Sequence, residues 1–146
     1  MRLSAESHRE VEEFFREHIG RPGLVLPPVY VYAGGVARLL TGSSKVAAVT
    51  FGRRVFVSPS LVREDSEGRA VLPAWLLVHE AAHVLQYEER GTLRFLFGYL
   101  RGYFRGLSGG KGFGARARTA AYLAIPEERD AREAERAYVE WRRGTA

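Results

Sequence analysis

The chain has 146 residues, 46% of them hydrophobic, which suits a single domain (1–146) around one core. It holds no Cys, so a disulfide or a thiolate metal site is excluded, and no apolar run approaches the length of a membrane-spanning helix. The formal charge is +5, from 22 Lys and Arg against 17 Asp and Glu, a balance that permits contact with nucleic acid or anionic lipid without requiring it.

The first residues show no apolar leader. The default expectation is therefore a cytoplasmic chain, with export by a route that needs no signal peptide left open. Residues 4–19 read as an amphipathic helix, the main element of an N-terminal unit over 1–20. Ser4 is its cap, and Val11, Phe14, Phe15, His18 and Ile19 form its stripe. His8 and His18 read as structural or surface residues. Residues 28–60 read as a small sheet. A strand rich in Val and Tyr covers 29–33, a helical turn covers 34–40, and two strands at 46–51 and 54–58 meet in a tight hairpin at Gly52-Arg53. Residues 63–69 form a charged loop.

Residues 73–90 carry helical apolar spacing through Trp75, Leu76, Val78, Ala82 and Leu85. Pro73 suits the helix start and Gly91 its end. Residues 92–107 predict a second long helix. Leu93, Leu96, Phe97, Leu100, Phe104 and Leu107 make a wide apolar face, and Arg94, Arg101 and Arg105 stand off its centre. The expectation is that this face packs on the core, the alternative being a membrane surface. Gly98, Gly102 and Gly106 recur at every fourth residue and allow close approach of another helix or of substrate. Residues 108–114 read as a Gly-rich flexible loop without the Walker spacing. Pro126 then opens the last helix, over 127–142, with Ala131, Ala134, Tyr138 and Trp141 spaced for burial.

The chemistry lies in His79-Glu80-Ala81-Ala82-His83, an H-E-x-x-H run on the 73–90 helix. His79 and His83 fall one turn apart on one face, close enough to share one ion. Glu80 is off that face. It suits a general base acting on a water activated by the ion. Two buried imidazoles beside a carboxylate, without an ion, would be costly. A catalytic zinc needs a third ligand, and the acids of residues 126–132 are the candidates. Glu127 and Asp130 read as ordinary acids at a helix N-terminus.

His79 to Gln86, the following Gly91 and the Pro126–Arg132 stretch resemble the small gluzincin-type zinc metallopeptidases. The nearest group is the DUF4157-like domain, often found with bacterial contractile injection systems. The resemblance covers roughly residues 29–132. It implies an α+β, zincin-like fold: a small mixed sheet of about three strands against the motif helix, with further helices before and after. It implies Zn2+ held by His79, His83 and Glu128, with Glu80 as base. Many gluzincins have Asp where Arg132 stands here, so the usual partner of a ligand His is missing or supplied elsewhere.

The expected function is therefore zinc-dependent hydrolysis of a peptide or protein substrate. Tyr122 is the expected oxyanion donor, with Tyr99, Tyr103 and Arg129 as alternatives. The strand at 46–51 is a candidate sheet edge for aligning peptide. An N-terminal helix crossing the cleft would make the chain self-inhibited. The alternative of another class is a catalytically silent, metal-stabilised module or cargo of an injection or secretion system. Nucleic acid is the least favoured partner.

Overall fold

The computed structural model describes residues 1–44, 46–108 and 114–145. The described residues form six helices and two small sheets. In order these are α1 (Ala5–His18), β1 (Tyr30–Tyr32), α2 (Gly35–Ser44), β2 (Ala48–Phe51), β3 (Arg54–Val57), a 3-10 turn (Pro59–Leu61), β4 (Arg63–Glu64), β5 (Ala70–Val71), α3 (Ala74–Arg90), α4 (Thr92–Ser108), α5 (Ala115–Leu123) and α6 (Pro126–Thr145). The expected α+β class and three-stranded mixed sheet are present. The strand order is β1-β3-β2, with β1 parallel and β2 antiparallel to β3.

The sheet forms where β-branched residues alternate. Val31, Val55 and Val57 are fully buried, and Arg54 at the start of β3 is exposed. The β2–β3 hairpin turns at Gly52, whose φ of 59° explains a glycine there. β2 is an edge of this sheet and lies against α3. The stretch expected as a charged loop instead contains β4, paired with β5. Two strands of two residues carry too little periodicity to be read in sequence. Residues Arg2 and Leu3 bridge Tyr30 and Ala70, which joins the two sheets.

α3 is the centre of the molecule. Leu76, Leu77, Val78, Ala81, Ala82, Val84 and Leu85 are buried around most of its circumference, as expected of a helix enclosed by other elements. β2 packs on one side and α6 on another. Pro73 stands at the N-cap, one position before the first helical residue, and Gly91 ends the helix at φ 77°. Trp75 departs from expectation and is exposed.

α1 belongs to the core. Ser4 caps it by accepting from the Ser7 backbone N–H. Val11, Phe14 and Phe15 are buried, and the Phe14 ring meets Tyr138 and Trp141 of α6 with centroids at 5.3 and 5.7 Å. His8 sits half-buried with its Nε2 on the Pro27 carbonyl, and His18 stacks on Phe14, both remote from the motif histidines.

α4 corrects the expectation of a core-packed apolar face. Leu93, Phe97, Leu100 and Phe104 are exposed, while Phe95 and the glycines Gly98, Gly102 and Gly106 face inward. The glycines let α4 come close to its neighbours. A Cβ on Gly106 would stand 2.9 Å from Ala121 Cα. The interior on this side is thus filled by backbone and aromatic rings, and the Leu and Phe stripe is left outside. The loop expected at 108–114 falls largely on residues 109–113, outside the described residues.

Candidate metal centre

Two helices build the site. α3 supplies His79, Glu80 and His83, and the first turn of α6 supplies Glu128. The two imidazoles are one turn apart, with ring centroids 5.0 Å from each other. Glu128 lies across from them. Its Oε2 is 3.2 Å from His79 Nε2 and its Oε1 is 3.3 Å from His83 Nε2. One ligand atom from each of the three residues falls within 4.8 Å of the others. Neighbouring ligand atoms around a tetrahedral zinc with bonds of roughly 2.0–2.1 Å stand about 3.3 Å apart, so the spacing suits such an ion.

Neighbouring groups orient the imidazoles. Gln86 Nε2 donates to the Glu127 backbone carbonyl at 3.1 Å. A carbonyl only accepts, so the Gln86 amide nitrogen must face it, and the amide oxygen is turned to His83 Nδ1 at 2.9 Å. That oxygen calls for a proton on Nδ1 and directs the Nε2 of His83 toward Glu128. His79 Nδ1 is likewise 3.4 Å from Glu135 Oε2. The partner that Arg132 could not supply therefore comes from one turn further along α6.

With both Nδ1 atoms turned to acceptors, Nε2 of each ring points at a carboxylate that also only accepts. Protons or a cation must lie among these atoms. Glu128 Oε2 is buried, and among the described residues it faces His79 Nε2 at 3.2 Å without a well-aligned hydrogen bond, which fits a ligand atom. Tyr99 donates to Glu128 Oε1 at 3.0 Å, and Tyr122 bears on the same carboxylate. Burial alone would raise the pKa of Glu128, but His79, His83 and Tyr122 outweigh it and hold the carboxyl well below the usual range. For His83, burial opposes the charged ring, while contact with Glu128 and the nearby Glu80 raise its pKa overall. Burial, and then the Glu128 charge, push Tyr99 and Tyr122 upward, so both hydroxyls stay protonated.

Glu80 lies outside the three-ligand group. It is buried, and Thr50 Oγ1 of β2 donates to its Oε2 at 2.6 Å. The Thr50 carbonyl accepts from Tyr87 at 3.3 Å, so this strand is tied to α3 at two points. Of the alternatives for an oxyanion donor, Tyr99 joins Tyr122 at the site, Tyr103 stacks edge-on to Phe104, and Arg129 is exposed. Glu127 is buried in an ion pair with Arg90, and Asp130 is exposed, so neither reaches the cluster.

Glu135 and Thr50 were not legible as site residues. Glu135 had one available signal: it is seven residues after Glu128, two turns on, and therefore on the same face. Thr50 had none beyond its place in the hairpin. The cover over the centre comes from α4, not from α1. Phe95 places its ring 6.1 Å from that of His83, and His83 and Glu128 are 6% and 2% exposed.

Fold and site together define a mixed α+β domain with a His79–His83–Glu128 group that could hold a metal ion. The chain belongs to the eCIS core domain family, linked to contractile injection systems, whose model matches residues 3–91. The match begins earlier than residue 29 and takes in α1, the sheets and both motif histidines. It ends at Gly91, so Glu128 and Glu135 lie beyond it. No curated protein and no solved structure matches the chain.

Proposed function

We propose that this chain is a zinc-binding domain that serves a contractile injection system as component or cargo, and that its centre hydrolyses peptide bonds. The observation that carries the metal is the convergence of His79 Nε2, His83 Nε2 and the Glu128 carboxylate on one point. Family membership supports the association. The donor set of two imidazoles and a carboxylate suits zinc.

Zinc bound there would polarise the scissile carbonyl and acidify water at the centre. Glu80 takes the water's proton and passes it to the leaving amine. Thr50 occupies one oxygen of Glu80 and so fixes the direction of the other. Tyr122 and Tyr99 keep their hydroxyl protons and can donate to the oxyanion. The β2 edge offers an extended peptide a strand to pair with. Substrate entry requires α4 to move away from His83.

A second reading, in which the metal only ties α3 to α6, is supported by the burial of His83, Glu80 and Glu128. Glu80→Gln separates the two. Hydrolysis by a general base predicts retained zinc and a loss of chelator-sensitive peptidase activity of about 10²–10⁴-fold. Wild-type protein that is zinc-loaded, folded and inert against a diverse peptide library would establish the silent module instead.

A further inference from the structure

We infer that the outer face of α4 is a docking surface for an anionic lipid bilayer. Leu93, Phe97 and Leu100 recur every three to four residues along this helix and are 84%, 70% and 52% exposed. Arg94, Arg101 and Arg105 stand about a quarter turn round from this stripe, all on one side, and all are exposed. A stripe of leucine and phenylalanine bordered by guanidinium groups is the arrangement that lets a helix lie in the headgroup region with its apolar side chains among the acyl chains.

Charge makes the choice of occupant. Residues 91–126 contain Arg94, Arg101, Arg105, Lys111, Arg116 and Arg118, and no Asp or Glu. The other 16 basic residues of the chain face 17 acids, so the entire positive excess belongs to the stretch that bears the exposed stripe. A second copy of the chain seated on this face would bring arginines against arginines with no acid from either helix to offset them. Nucleic acid would satisfy the arginines and leave the leucines at the centre of the stripe without a partner. An anionic membrane answers both the apolar stripe and the charge.

The stripe contributes no side chain to the metal centre. Phe95 and Tyr99 point to the opposite side of α4, and its packing rests on the inward glycines. Substitutions on the outer face therefore leave the fold intact.

The test is cosedimentation of the full chain with vesicles of about three parts phosphatidylcholine to one part phosphatidylserine, against phosphatidylcholine alone. The wild type binds the anionic vesicles and not the neutral ones, and added salt weakens binding. Arg101→Gln with Arg105→Gln lowers affinity about 25-fold, roughly fivefold for each arginine. Phe97→Ser lowers it on the order of tenfold or more. As a probe that keeps the stripe apolar, Phe97→Trp gives a blue-shifted emission on anionic vesicles only. Absence of binding by wild type, equal binding to neutral vesicles, unchanged binding by Phe97→Ser or by the double arginine variant, or an unshifted Phe97→Trp emission on anionic vesicles overturns the inference. A dimer in solution that Phe97→Ser dissociates also overturns it and assigns the face to a second copy. Binding to an oligonucleotide that survives Phe97→Ser, without vesicle binding, assigns it to nucleic acid.

Discussion

Replacing Gln86 by Met keeps the length of the side chain and removes both of its hydrogen bonds. In one of these the Gln86 Oε1 accepts from His83 Nδ1–H and orients the ring, and the other anchors the amide to the Glu127 carbonyl at the start of α6. Each is worth about 1 kcal/mol net, and the site is partly buried, so Gln86→Met should cost the apo fold about 1–2 kcal/mol. The larger effect should fall on metal binding. Groups that orient a ligand imidazole typically contribute 10–100-fold to affinity, so zinc should bind about 10–100-fold more weakly. Competition with a chromophoric chelator measures this directly, and denaturant unfolding in excess chelator measures the stability cost separately. If Gln86→Met bound zinc within about twofold of wild type while His83→Ala lost it, the orienting role of Gln86 would be refuted.

Freshly purified chain should carry about one zinc, removable by chelator, and the double variant His79→Ala, His83→Ala should carry none by elemental analysis. Glu128→Ala should lose the metal, whereas Asp130→Ala should keep it at wild-type affinity. Glu127→Ala should keep most of the metal yet lower the melting temperature, because it leaves Arg90 unpaired at the end of α3. Two glycines of α4 should respond in opposite directions. Gly98→Ala meets Glu127 only at 3.7 Å and should gain up to about 1 kcal/mol of helix propensity. Gly106→Ala drives into the Ala121 backbone and should cost about 1–3 kcal/mol, read from the shift in denaturation midpoint.

The elements legible in the sequence were those with a strong local cause. The H-E-x-x-H run sits on a helix bounded by Pro73 and Gly91, and the β2–β3 hairpin turns at Gly52, because apolar periodicity and backbone freedom act over a few neighbouring residues. The approach of Glu128 to the histidines came from resemblance to a family, since nothing in the local pattern relates residues 45 positions apart. What sequence misassigned was decided by tertiary packing. The α4 stripe has the spacing of a core face, yet the glycines on its other side allowed the backbone itself to fill the interior. The same holds for Glu135, whose contact with His79 depends on how α6 is rotated against α3.

The placement of the ligands on α3 and α6 also has a meaning in polymer terms. An ion joining His83 to Glu128 would be a cross-link closing a loop of about 45 residues, the loop made by α4 and α5. In the chain-entropy treatment of cross-links, such a closure removes about 4 kcal/mol of freedom from the unfolded ensemble. The segment that carries α4 could then peel away from the centre and return with both of its ends held. Stripped of the ion, the same excursion would begin to separate α6 from α3, so that chelation should turn a local opening into a global one.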